Sequence, residues 1–139
     1  MVPEENSQWK PRCEPYAFTI TPREPVVIFQ SLNDISCLYP TYIRGEAYLA
    51  VGQGNAAAAE FQKILYHSGM VWNCWTGALA HLGVARANAL QSRASQGVEA
   101  DAARSRALAA YKDFFTLWKN ADADIPILKQ AKSEYARLQ

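Results

Sequence analysis

The sequence predicts an all-α chain built from helix–turn–helix pairs, and three observations predict it. Gly45 and Tyr48, three apart, are followed by Gly52, and then by a small residue and an aromatic four apart, Ala57 and Phe61. With about 3.6 residues per helical turn, these spacings bring small and aromatic residues onto facing sides of two helices. The same grammar recurs downstream, where Leu82-Gly83 repeats the glycine position and Ala107 with Tyr111 repeats the small–aromatic pair. Proline and glycine also punctuate the periodic stretches where helices start and stop.

The elements follow in order. Residues 1–25 carry Pro3, Pro11, Pro15, Pro22 and Pro25, and each proline holds the preceding residue extended. This predicts an irregular proline-rich arm, with Tyr16–Thr21 as extended coil. The repeat domain occupies residues 26–139. Its first segment, Val26–Leu38, places Val27, Ile28, Leu32, Ile35 and Leu38 at helical spacing and predicts a helix. The first helix of the first pair starts near Pro40 and stops at Gly52-Gln53-Gly54, where glycine accepts the left-handed conformation. Asn55 is the expected cap of the second helix, which runs to about His67 and stops at Gly69.

Met70–Trp75 reads as an apolar linker, with Thr76 as the cap of the next helix. The second copy starts at Leu79. Gly45 and Phe61 are 16 positions apart, and Gly83 and Tyr111 are 28 apart, so about 12 residues are inserted around Gln91–Asp101. That polar segment reads partly as loop and partly as an extension of a helix over Val98–Lys119, whose apolar face carries Ala103, Ala107, Ala110, Tyr111, Phe114, Leu117 and Trp118. Asp122 or Asp124 is the expected cap of a last helix with Pro126 in its first turn. Ile127, Leu128, Ala131, Tyr135 and Leu138 would form its buried face. Lys129, Lys132, Glu134 and Arg137 would face water.

Composition narrows the function classes. Half of the 139 residues are hydrophobic, enough for a core. The net charge is +1 without a basic stripe, so nucleic acid is not an expected partner. No apolar run approaches the roughly 18 residues of a membrane span, so no membrane insertion is expected. The start, MVPEENSQWK, lacks the positive-then-apolar order of a secretion signal. Cys13, Cys37 and Cys74 are odd in number and widely spaced. They read as unpaired thiols in a reducing compartment, which favours the cytoplasm.

The pattern Gly45-x-x-Tyr48, then Ala57-x-x-x-Phe61, resembles the tetratricopeptide repeat, whose grammar runs L-G-x-x-Y and A-x-x-x-F over about 34 residues. The strings YIRGEAYLA, AAAEFQKIL, GALAHLGVARA, AAYKDFFTLWKNAD and DIPILKQAKSEYARL are similar to the C-terminal repeat region of certain bacterial multidomain proteins. In those proteins the repeats follow a serine/threonine kinase domain or a winged-helix DNA-binding domain. The resemblance covers about Leu38–Gln139. It implies a short right-handed solenoid of about two repeats plus a C-terminal capping helix. It also implies a non-catalytic module that binds a protein or peptide partner in a concave groove. The alternative is a dimerisation or structural tail of a larger kinase or transcriptional sensor, and a third reading is a small enzyme or metal-binding protein. No glycine-rich loop before a lysine strand, no His-Arg-Asp string and no Asp-Phe-Gly string is present, so kinase activity does not follow.

The family's groove is lined by the first helix of each repeat. By pattern this implies Tyr39, Tyr42, Glu46, Leu49 and Ala50 from the first copy, and Gly77, Ala80, Val84, Ala87 and Asn88 from the second. The positions where some relatives clamp a terminal carboxylate hold Tyr42 with Glu46 and Ala80 with Val84, so an apolar or aromatic anchor is favoured. These residues could equally pack against the arm. Trp72 and Trp75 form either a contact loop or a flap over helix ends. Arg44 and Arg86 read as structural partners of carboxylates, ahead of recognition of an acidic partner. His67, Cys74 and His81 lack a fourth metal ligand. Ser31, Ser36 and Ser133 sit in no nucleophile elbow, and Glu46 and Glu60 do not read as convergent. No catalytic residue, metal or cofactor is expected. Self-association, or binding of a partner, through the N-terminal half is expected, because Val27, Ile28, Phe29, Leu32 and the Trp72–Trp75 loop leave that end apolar.

Overall fold

A computed structural model describes residues 37–139. The arm predicted over residues 1–25, and the predicted helix over Val26–Leu38 except for its last two residues, lie outside the described residues. Every regular element among the described residues is helical: α1 (Tyr39–Ala50), α2 (Gly54–Tyr66), the single turn α3 (Ser68–Val71), α4 (Trp75–Ala94), α5 (Val98–Leu117) and α6 (Pro126–Leu138). Neighbours in sequence pack in turn: α1 on α2, α2 on α4, α4 on α5, and α6 across the far end.

The first hairpin forms where proline and glycine direct it. Pro40 occupies the first turn of α1, where its missing N–H costs nothing. At the other end Gly52 has φ of 75°. Its N–H donates to Leu49 O, and the Gln53 N–H donates to Tyr48 O at 2.9 Å, the paired bonds of a Schellman stop. Gly54 does not extend that stop. It is the first residue of α2, buried, and a Cβ there would lie 2.8 Å from the Ala87 carbonyl oxygen of α4. Close backbone approach therefore explains Gly54, and the expected cap Asn55 lies inside the helix with no capping bond.

Phe61 joins the two hairpins. Its ring is fully buried, and it sits against Gly45 of α1 and Gly83 of α4. A Cβ at Gly45 would lie 2.7 Å from Phe61 Cε1, and one at Gly83 would lie 2.6 Å from Phe61 Cγ. Both glycines thus act on the same aromatic. Gly45 serves the contact within its own hairpin, whereas Gly83 serves the contact with the preceding one. Ala57, Ile64, Val71, Ala80 and Ala87 complete this cluster.

The second hairpin is longer, 20 residues in each helix against 12 and 13 in the first. The polar insertion lengthens both α4 and α5, leaving a short turn at residues 95–97 with Gly97 at φ 61°. Leu82, Ala85 and Ala89 of α4 meet Ala107, Ala110, Tyr111 and Phe114 of α5. Helix α6 joins this cluster through Leu128, Ala131 and Leu138, and Tyr135 sets its ring edge-on to Phe115 at 5.6 Å. Neither Asp122 nor Asp124 caps α6. Ile125 holds the N-cap position, Asp122 Oδ1 accepts the Asp124 N–H, and Asp124 pairs with Lys129.

The junction between the hairpins departs most from expectation. Cys37 and Cys74 are joined by a disulfide with Cα atoms 5.8 Å apart, in place of unpaired thiols. Cys74 is therefore also withdrawn from the set His67, Cys74 and His81. Thr76 does not cap α4: its buried Oγ1 donates to the Cys37 carbonyl at 2.7 Å. Gly69 lies within α3, and α2 already ends at Tyr66. Cys37 and Leu38 turn the chain into α1 with φ of 49° and 53°. Conformations of this kind cost about 1–3 kcal/mol each and persist where their surroundings over-determine them. Here the disulfide, the Thr76 bond and the packing of Leu38 on the first cluster do so.

Two outcomes test this packing. Gly83→Ala should lose about 1–3 kcal/mol of stability through overpacking against Phe61, while Gly69→Ala, which meets open space, should stay near wild type in the same urea titrations. Equal stabilities for the two variants would refute the clasp. Reduction of Cys37–Cys74, which are 37 positions apart, should cost about 2–4 kcal/mol. An unchanged melting temperature in reductant would refute a structural disulfide.

Candidate functional site

The residues implied as groove lining do not share one surface. Tyr39 and Tyr42 of α1 turn toward the junction. Their rings meet Trp75 edge-on at 5.7 and 5.1 Å, and Tyr42 also meets Phe61 at 5.6 Å. Burial, reinforced by the neighbouring Glu46 carboxylate, pushes the Tyr42 phenol well above the ordinary tyrosine range. Ala80 is fully buried against Phe61's cluster and lines nothing. Val84 and Asn88 face a shallow depression between α2 and α5 that also involves Ala59, Leu65 and His81. Asn88 is buried and committed: its Nδ2 donates to Val84 O and its Oδ1 accepts from Arg106 Nε at 3.0 Å. Burial also lowers the His81 pKa, against an opposing pull from Asp113.

Of the implied set, Leu49 alone enters a cleft lined by first helices. This cleft, of about 280 Å³, lies between α1, α4 and α6 and is lined by Leu49, Arg86, Ala89, Leu90, Arg93, Tyr111, Glu134, Arg137 and Leu138. Arg86 and Leu90 come two positions after Val84 and Asn88. Two positions turn a helix face by about 200°, which is why the implied α4 residues and these open onto different sides.

The floor of the cleft is an ion pair with a phenol. Arg86 Nε and Nη2 donate to the two Glu134 carboxylate oxygens at 2.9 and 3.1 Å, and the Tyr111 hydroxyl donates to Glu134 Oε2 at 2.9 Å. Both charged side chains retain 22% exposure, so the pair is screened less than a surface bridge and solvated better than a core one. Burial, together with the Glu134 charge and hydrogen bond, raises the Tyr111 phenol above the ordinary range and keeps it a donor. Glu134 had been expected to face water. It turns inward because Arg86 and Tyr111 offer three donors that no apolar neighbour could satisfy.

Arg44 makes the comparable contact in the first hairpin. Its Nε and Nη2 donate to Glu60 Oε2, and Lys63 donates to Oε1. The Lys63 bond, and after it Arg44, hold Glu60 below the usual carboxylate range despite opposing burial. Both arginines thus pair structurally. Sequence reasoning missed Glu134, Arg93 and Arg137 as site residues. The signal was the recurrence Leu79, Leu82, Arg86, Leu90, Arg93 at three and four positions, a second stripe on α4.

At the junction Trp72 is 87% exposed, with φ of 34°, and Trp75 is half exposed against Tyr39 and Tyr42. Tyr39 and Met70 add to this exposed apolar surface. The cavity beside it, of about 450 Å³, is lined by Val71, Trp72, Trp75, Leu117 and Trp118 among others.

Glu134→Gln keeps the volume of the side chain but removes its charge, and should cost about 2 kcal/mol, the value of hydrogen bonds to a charged group. Tyr111→Phe should cost less, about 1 kcal/mol. Urea unfolding that ranks Tyr111→Phe above Glu134→Gln would show that the carboxylate charge is not what holds α6.

Comparison of the chain with family models, with curated proteins and with solved structures gave no match.

Proposed function

We propose that this chain is a tetratricopeptide-like module of two hairpins and a closing helix, and that it binds a protein or peptide partner without catalysing a reaction. The observation that supports this best is Phe61 between Gly45 and Gly83. In the repeat architecture such an aromatic locks one hairpin onto the next and sets successive first helices side by side. The cleft between α1, α4 and α6 then becomes the partner-binding face. Arg86, Tyr111 and Glu134 in it are linked to one another as a platform, not arranged as a nucleophile with a base.

The exposed aromatic surface at Trp72, Trp75 and Tyr39 favours a second reading, in which this end serves self-association. The apolar segment Val26–Leu38, on which the same expectation rested, lies outside the described residues apart from Cys37 and Leu38. The oxidised Cys37–Cys74 pair favours an oxidising compartment over the expected cytoplasm.

One experiment separates the readings. A photo-crosslinking side chain is placed singly at Leu49 in the cleft, at Ala59 on the α2–α5 side, and at Trp72. Capture of a distinct protein from Leu49, with none from Ala59, is the expected result. A homodimer band from Trp72 with nothing captured from Leu49 would replace the first reading with the second.

A further inference from the structure

The charge of the cleft is unbalanced. Arg86, Arg93 and Arg137 line it, and among the described residues Glu134 is the one carboxylate that lines it with them. Glu134 is already engaged by two Arg86 N–H groups and the Tyr111 hydroxyl. Glu46 acts on Arg86 from α1 but does not line the cleft. Arg93 makes no side-chain hydrogen bond or ion pair among the described residues, and Arg137 donates only to the neutral Ser133 hydroxyl at 2.9 Å. Both are exposed at the rim.

We propose that the cleft binds an acidic peptide segment, with Arg93 and Arg137 donating charge-assisted hydrogen bonds to two of its side-chain carboxylates. This rests on the interaction reading above and names the chemistry of the partner. Guanidinium groups suit the role because their planar fork matches a carboxylate with two parallel bonds. Arg86 and Arg93 are seven positions apart on α4, about 10 Å along the helix axis. That span equals about three residues of extended chain. A lone terminal carboxylate covers one end of such a row, whereas a run of acidic residues covers all of it. Leu49, Leu90 and Leu138 supply apolar lining for the aliphatic stems of the ligand. Arg86 takes part at lower strength, because Glu134 neutralises it and leaves only its Nη1 without a partner among the described residues.

The test is fluorescence anisotropy of the full chain with a labelled oligoglutamate peptide and a matching oligoglutamine peptide. Oligoglutamate should bind, oligoglutamine should not, and added salt should weaken the complex. Arg93→Ala with Arg137→Ala should weaken binding by about tenfold or more, which is about 1.4 kcal/mol. Both side chains are exposed, so folding should be preserved. Lys112→Ala, an exposed cation outside the cleft on α5, should leave affinity unchanged. Equal affinity in the double variant, equal loss with Lys112→Ala, or equal binding of oligoglutamine would each overturn the proposal. If crosslinking at Leu49 still captures a partner while oligoglutamate fails to bind, the acidic assignment falls and the interaction reading stands. Failure of both removes the interaction reading itself.

Discussion

The aromatic ring of Phe61, flanked by two glycines, is the constraint on which the rest of the structure depends. Its position between α1 and α4 requires a missing side chain on each. Interiors packed at crystal-like density respond to a single added methyl group, so the two glycines set how near the hairpins come. Gly54 against the Ala87 carbonyl extends the same close approach one step toward the turn. With α4 fixed this way, Leu82, Ala85 and Ala89 are turned toward α5, and Arg86 with Arg93 toward α6. The cleft therefore depends on how near Gly83 lets α4 come to Phe61.

The chain enters this frame through a rigid joint. The disulfide fixes Cys37 to the residue that precedes α4, and Thr76 binds the carbonyl of the same cysteine. Two left-handed residues sit at the entry, and Tyr39, Tyr42 and Trp75 pack edge to face just beyond. Such geometry contributes about 0.5–1.5 kcal/mol per aromatic pair beyond burial. A thiol pair of this kind is kept reduced in a glutathione-buffered compartment, so the joint gains its full rigidity only where oxidation persists. Redox state therefore acts on the end of the molecule that exposes Trp72.

Much of the fold was legible because it is encoded locally. Pro40 and Pro126 marked first turns, Gly52 marked a stop, and the small–aromatic spacings marked faces that do touch. What failed was encoded in tertiary context. Asn55, Thr76, Asp122 and Asp124 have the chemistry of caps, but capping is a weak local preference that neighbouring groups override. Thr76 found a carbonyl 39 positions away, and Asp124 found Lys129. Cysteine pairing depends on which segments meet, and odd count and wide spacing carry no information about that. The cleft was legible only on α1. Helix α4 packs against α1, α2 and α5, so its exposed positions cannot be counted from a glycine. Arg44 and Arg86 were read as structural partners, and each does hold a carboxylate, but nothing local named Glu60 or Glu134 as the partner.

Helix α6 shows why an inward carboxylate belongs at the end of such a stack. Its apolar contribution is modest: Leu128, Ala131 and Leu138 are buried, with Tyr135 against Phe115. An apolar stripe alone would allow the helix to slide or rotate on α5, because hydrophobic contact is non-directional. Glu134 removes that freedom, since one rotation of α6 satisfies Arg86 and Tyr111 together. Arg104 of α5 holds the far end through the Leu138 and Gln139 carbonyl oxygens. The ion pair gives α6 a direction that its apolar stripe alone does not. That is what the cleft requires, because Arg137 lies one turn from Glu134 and its place at the rim is set by the same rotation. The contact that closes the stack is therefore also the contact that positions the cleft's free charge.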